Sequence, residues 1–156
     1  MGQWTKDEGQ RMGTTLCLLS FVLSEQKLKE KQNMEKSLNE YVKTADWKSE
    51  KHVPVITAPE SAAAGQTFEV EVAVGKEIPH PNTVEHHIAW IALHFVPEGS
   101  PVSVEIGRVD LSSHGPEVAT VATAKFAVSL QKGGVFYATA YCNLHGLWSS
   151  SAKIEV

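Results

Sequence analysis

The segment Thr-Phe-Glu-Val-Glu-Val-Ala-Val at residues 67–74 constrains the fold more than any other part of the sequence. Every second side chain is apolar, and glutamate occupies two of the positions between them. A period of two places alternate side chains on opposite faces of a β-strand, whereas a helix needs apolar residues three or four positions apart. The segment is therefore predicted to be a strand with one face on a core and the other in solvent.

Six further segments have the composition of strands and follow at short intervals. They are residues 53–57, 88–96, 102–111, 118–128, 135–142 and 148–156. Stretches rich in glycine and proline separate several of them, and no helical repeat lies between. This spacing predicts an all-β fold, an immunoglobulin-like antiparallel β-sandwich of about seven strands.

Residues 1–45 differ in composition from the predicted sandwich domain at 46–156. Residues 24–41 are charged and rich in helix-forming side chains, with few apolar positions, so an N-terminal arm that is partly helical or disordered is expected. Met34 is an alternative start of translation. The arm carries no paired metal donors, and no role in catalysis is predicted for it.

An apolar run at residues 14–23 bears on the location of the protein. It is too short to span a bilayer as a helix. Residues 1–24 resemble a signal peptide only weakly, because acidic and basic residues are mixed ahead of the apolar run. A cytoplasmic protein without a membrane partner is expected, with export as the alternative.

Charge and cysteine content narrow the class of partner. The chain has 14 basic and 18 acidic residues and a formal net charge of −4, which excludes a broad basic surface for nucleic acid or anionic lipid. Its two cysteines, Cys17 and Cys142, lie far apart in unlike contexts. A disulfide framework is not expected, and this favours a reducing compartment.

Five imidazole or thiol side chains fall at predicted strand ends and in the loops between strands, where metal sites are commonly built. They are His52, His80, His86, Cys142 and His145. These side chains can gather at one end of the sandwich. Such donors suit iron, copper or zinc, but four imidazoles and one thiolate exceed the usual tetrahedral zinc set. The set predicts a mononuclear iron with an open coordination position.

The other histidines have a more ordinary interpretation. His87, His94 and His114 are expected to be surface or core residues without a functional role. His87 follows His86 directly, so in a strand the two side chains point to opposite faces.

Three motifs around the donors carry a resemblance to a known family. They are Asp-Trp-Lys-Ser-Glu-Lys-His-Val-Pro at 46–54, His-Pro-Asn-Thr-Val-Glu-His-His at 80–87 and Cys-Asn-Leu-His-Gly at 142–146. In sequence and order they resemble the superoxide reductase family, which includes neelaredoxin and the catalytic domain of desulfoferrodoxin. The resemblance covers residues 46–156. Because only Cys17 precedes this region, the chain resembles the one-iron class.

The resemblance implies a site and a reaction. His52, His80, His86 and His145 would be equatorial ligands of iron and Cys142 the axial ligand, with Glu50 and Lys51 as catalytic residues. The reaction would be the one-electron reduction of superoxide to hydrogen peroxide. A rubredoxin-like protein would return the electron, and the chain would form a homodimer or homotetramer.

Two other functions remain open at this point. A cupredoxin-like electron-transfer protein is also a β-sandwich with histidine and cysteine ligands, but its axial methionine often follows the last histidine. Here every methionine precedes residue 35. An immunoglobulin-like binding module with incidental histidines is the second alternative.

Overall fold

The computed structural model of the protein describes residues 36–156. A boundary between two units of the chain falls after Glu40, and the second unit, Tyr41–Val156, is compact. In the first, the described residues contain one 3-10 turn, Leu38–Glu40. The predicted signal-like segment, Cys17 and most of the predicted arm lie outside the described residues. Within residues 36–156, no helix is long and apolar enough to cross a membrane.

Seven strands build the second unit and confirm the predicted sandwich. They are β1 Pro54–Thr57, β2 Thr67–Val74, β3 Ile88–Pro97, β4 Val104–Asp110, β5 Thr123–Ser129, β6 Gly134–Cys142 and β7 Gly146–Ile154. One sheet has the order β1-β2-β5 and the other β4-β3-β6-β7. All the paired strands are antiparallel.

The alternation in β2 has the predicted physical result. Val70 and Val72 are fully buried between the sheets, where they pack with Phe136 of β6. Each buried valine contributes roughly 1.5–3 kcal/mol relative to an exposed one. On the other face, Glu69 forms an exposed ion pair with Lys125 of β5, at a distance of 2.8 Å.

β5 begins at Thr123 and not at residue 118, so its predicted start was wrong. Val118 and Val121 have the composition of a strand but are 69% and 71% exposed. The chain instead turns back on itself, and His114 pairs with Ala119 in an isolated antiparallel bridge. The tertiary contacts of this turn outweigh the local preference of valine for a strand.

The unit that contains the strands begins at Tyr41, before the expected boundary at residue 46. Lys43 forms an isolated parallel bridge with Trp148 of β7. Its N–H donates to the Leu147 carbonyl at 2.9 Å, and its carbonyl accepts from the Ser149 N–H at 2.8 Å. These bonds place Lys43 beside the end of the sandwich at which β6 meets β7.

Candidate metal centre

Four of the five predicted ligands converge at one end of the sandwich. The donor atoms of His52, His86, Cys142 and His145 all lie within 4.8 Å of one another. The Cys142 sulfur lies 3.4 Å from Nδ1 of His145, and this nitrogen lies 3.0 Å from Nε2 of His52. Residues from three separate segments therefore form one donor group.

The fifth predicted ligand, His80, lies at the edge of this group. Its ring centroid is 4.8 Å from that of His52 and 4.6 Å from that of His86. Its Nδ1–H donates to the Pro81 carbonyl at 2.6 Å, which leaves the lone pair on Nε2. Nε2 of His80 is buried and has no hydrogen-bond partner.

A tight turn joins β6 to β7 and carries two of the donors. Cys142, which is fully buried, pairs with Gly146 across the hairpin, and Gly146 has a φ of 79°. Asn143 in this turn donates from Nδ2 to the Glu85 carbonyl at 2.9 Å and accepts from the His87 N–H at 2.9 Å. The turn is thereby tied to the segment that carries His86.

His52 is held on both sides of its ring. Its Nδ1–H donates to Oε1 of Glu50 at 2.6 Å, and the same oxygen accepts from the His52 backbone N–H at 3.2 Å. This bond assigns the proton to Nδ1 and leaves Nε2 to face the other donors. The indole of Trp148 stacks on the imidazole, with ring centroids 5.0 Å apart and an angle of 15° between the planes.

Lys43 completes this side of the centre, although it lies in the segment predicted to be an arm. Its ammonium lies 5.3 Å from the centroid of the Trp148 ring and donates to the His145 carbonyl at 3.2 Å. This contact could not be predicted from sequence patterns, because Lys43 is 102 residues from His145.

Burial favours the neutral form of three of the imidazoles. Loss of solvent lowers the pKa of His52 and of His86, and lowers that of His80 to about 4. The positive charge of Lys51 lowers all three further. A metal ligand must be unprotonated, so these groups are available to a metal at neutral pH with little competition from protons.

The donor set fits a metal ion in two ways. Nε2 of His80 and Nε2 of His86 are buried without a partner, and such polar atoms normally have one. A metal bound between them would supply it. The set also combines neutral imidazoles with one thiol sulfur, the chemistry that late first-row metals prefer.

Two histidines for which no function was expected contact the segments that carry the donors. The rings of His87 and His114 stack with centroids 3.6 Å apart and planes 13° apart. Neither belongs to the donor group. His94 lies elsewhere, 3.8 Å from Glu105 on β4.

Comparison with known proteins gives a consistent picture. Residues 44–151 match the family model described as desulfoferrodoxin. A superoxide reductase of Pyrococcus horikoshii is 49% identical over 118 residues, which cover 76% of this chain and 99% of that protein. A neelaredoxin of Megalodesulfovibrio gigas is 45% identical over 121 residues, covering 72% of this chain and 93% of that protein.

Solved structures agree with these sequence matches. The reduced form of a superoxide reductase (neelaredoxin) from Archaeoglobus fulgidus is 48% identical, covers 74% of this chain and 99% of its own, and has a TM-score of 0.69. A superoxide reductase (neelaredoxin) from Ignicoccus hospitalis is 43% identical, covers 78% of this chain and 99% of its own, and has a TM-score of 0.68.

Proposed function

The chain belongs to the desulfoferrodoxin family and is a superoxide reductase, and on this premise we propose that its donor group holds a single non-haem iron. The proposed ligands are His52, His80, His86, Cys142 and His145. The observation that carries the proposal is the convergence of four donor atoms within 4.8 Å, beside the buried and unpartnered Nε2 of His80. Bound iron would supply the electron that reduces superoxide to hydrogen peroxide.

The protein's own residues prepare the site for that reaction. The Glu50 carboxylate and the Trp148 ring fix the orientation of His52 from two sides. Cys142 is fully buried, so solvent does not reach its sulfur. A ligand held in one orientation loses little entropy when the metal binds, which favours a defined geometry.

Lys51 is the first proposed catalytic residue, and its role is to attract superoxide. Its charge acts on the imidazoles of His52, His80 and His86, whose pKa values it lowers after the larger effect of burial. The chain as a whole is negative and repels an anion. A local ammonium beside the site offsets that repulsion.

Replacement of Lys51 by alanine is expected to lower the second-order rate constant with superoxide by roughly 10-fold, the lower end of electrostatic steering. It should also flatten the dependence of that rate on ionic strength, because surface charges act over about 8–10 Å at moderate salt. Lys51→Arg should retain most of the rate. Stopped-flow mixing of the reduced protein with superoxide at several salt concentrations measures both quantities.

Lys132→Ala is the matched control. It removes the same charge from the chain, but Lys132 lies beyond the start of β6 at Gly134, whereas Cys142 ends that strand. Eight residue steps along a strand separate the two ends by about 27 Å. Equal effects of Lys51→Ala and Lys132→Ala would mean that net charge and not local position sets the rate.

Glu50 is the second proposed catalytic residue. The hydrogen bond from His52 lowers the pKa of the Glu50 carboxyl, so it is ionised and acts only as an acceptor at neutral pH. We propose that it assists the departure of peroxide. To move toward the product it must give up both of its hydrogen bonds to His52, and this keeps the carboxylate away while superoxide is arriving.

Two partners complete the proposal. Reduction, unlike dismutation, requires an external electron, and we propose a rubredoxin-like protein as the donor.

We also propose a homodimer or homotetramer. Aromatic side chains on the outer face of the larger sheet support an oligomer. Tyr141 is exposed there and stacks on Trp90, with ring centroids 5.8 Å apart. The guanidinium of Arg108 lies 4.4 Å from the centroid of the Trp90 ring. Aromatic and arginine side chains are enriched at protein interfaces.

The yield of hydrogen peroxide distinguishes the reduction of superoxide from its dismutation. A reductase forms one hydrogen peroxide for each superoxide consumed and releases no dioxygen, whereas a dismutase forms half as much peroxide and releases dioxygen.

The cupredoxin alternative is not retained, because the family match assigns the chain elsewhere and every methionine precedes residue 35.

A further inference from the structure

Three side chains form a group that we call the His114 clamp: His114, Asn82 and His87. Asn82 and His87 belong to the segment 80–87, which lies between β2 and β3 and carries two of the proposed ligands, His80 and His86, whereas His114 contacts this segment from the chain after β4. This segment has no regular secondary structure of its own over 80–87. Its position therefore depends on side-chain contacts such as those of the clamp.

Each ring nitrogen of His114 lies within hydrogen-bond distance of an oxygen atom. Nε2 lies 2.8 Å from the Leu111 carbonyl oxygen, and Nδ1 lies 2.6 Å from Oδ1 of Asn82. The amide orientation of Asn82 is fixed independently, because its Nδ2 donates to the Thr120 carbonyl at 2.9 Å. Both partners of the His114 ring are acceptors, so an N–H on either ring nitrogen has an oxygen to which it can donate.

Asn82 connects this ring to His80. It follows Pro81, whose carbonyl accepts the Nδ1–H of His80 at 2.6 Å. An anchor on the Asn82 side chain thus restrains the backbone that fixes the His80 tautomer. Pro81 has a restricted φ, so little freedom remains between the anchor and the ligand.

His87 connects the same ring to His86 and to the cysteine turn. Its imidazole covers one face of His114, with centroids 3.6 Å apart, and its Nδ1–H donates to the Thr83 carbonyl at 2.9 Å. Its backbone N–H donates to Oδ1 of Asn143, the neighbour of Cys142. A displacement of His87 would therefore move His86 and disturb the turn that carries the sulfur.

We propose that His114 is a positioning residue of the metal centre: through Asn82 and His87 it holds His80 and His86 where they bind the metal, without contacting either ligand itself. This inference rests on the proposed function of the donor group. Outer residues that orient ligands typically change metal affinity by about 10- to 100-fold when they are lost.

His114→Phe tests the role of the polar contacts to Asn82 and Leu111, because phenylalanine keeps an aromatic ring against His87 but has no ring nitrogen. We expect the metal-loaded variant to release its metal to a chelator about 10- to 100-fold faster than the unaltered protein. We also expect a shift of the visible charge-transfer band. His94→Phe is the matched control, since His94 is half-buried and contacts Glu105 instead of the clamp, and both quantities should stay unchanged.

A purely structural role would give a different pattern. If His114→Phe lowers the melting temperature while the release rate and the band match those of the unaltered protein, the proposal is wrong. His114→Gln provides a second measurement if the phenylalanine variant does not fold, because glutamine offers a single amide nitrogen in place of the two ring nitrogens and lacks the ring that stacks on His87. It should give an intermediate release rate, and a rate equal to that of the unaltered protein would overturn the proposal.

The Asn82 hydrogen bond can be isolated with a double-mutant cycle. If His114 acts through Asn82, the double variant should change the logarithm of the release rate by less than the sum of the changes in His114→Phe and Asn82→Ala. Full additivity would contradict that connection.

Metal release is followed by elemental analysis, so the measurement works with whichever metal the unaltered protein holds. Zinc in that protein would contradict the proposed iron chemistry and leave the His114 comparison valid.

Discussion

Replacement of Cys142 by serine is expected to abolish the visible band of the oxidised iron protein and to slow its reaction with superoxide by at least ~100-fold. Loss of a residue that merely supports a metal ligand lowers metal affinity or activity by about 10- to 100-fold, and loss of a ligand itself should lower it at least as much. A serine hydroxyl is not ionised at neutral pH and donates far less charge to the metal than a thiolate. Absorption spectra and stopped-flow rates measure the two effects.

The chain provides its own control for this experiment. Cys17→Ser makes the same chemical change at the other cysteine, for which we predict no role in the site. It should leave the band and the rate unchanged. A band that survives in Cys142→Ser, or disappears in Cys17→Ser, would contradict the assignment of the thiolate. Because serine is close in size to cysteine, packing around the buried Cys142 should change little.

The second large effect is expected at Gly75, which follows the last residue of β2. Its φ is +80°, and a Cβ at this position would lie 2.6 Å from the backbone nitrogen of His80 and 3.1 Å from its Cβ. Gly75→Ala must therefore displace the His80 segment. We expect metal affinity to fall by about 10- to 100-fold and the free energy of unfolding to fall by about 1–3 kcal/mol.

Gly99→Ala separates the backbone strain from the clash. Gly99 has a similar φ of +72°, but a Cβ there would meet no atom within 4 Å. This variant should show the cost of the left-handed backbone and keep its metal. Chelator titrations and thermal melts of the two variants test the comparison. Equal losses of metal affinity in both would mean that a Cβ at Gly75 does not reach the centre through His80.

The fold could be predicted from sequence because its signals are local. Strict alternation placed Val70 and Val72 in the core, and glycine and proline marked the ends of most strands. The start of β5 could not be predicted, since residues 118–122 have the side chains of a strand. The turn pairs His114 with Ala119 and leaves Val118 exposed, and neither fact appears in a short window of sequence.

The candidate site divides in the same way. The candidate donors could be selected from sequence because histidine and cysteine at predicted strand ends have a chemistry that few other patterns share. The residues that support them were not. Trp148 stacks on His52, and Lys43 donates to the His145 carbonyl, but both contacts join positions about a hundred residues apart in sequence. Periodicity and spacing contain no information about such pairs.

Elemental analysis of the purified, unaltered protein, expressed with sufficient iron, tests the metal centre most directly. We expect about one iron per chain, because the five proposed ligands exceed what tetrahedral zinc normally accepts and four of their donor atoms lie within 4.8 Å of one another. Zinc or copper at about one atom per chain, with iron absent, would contradict the iron centre.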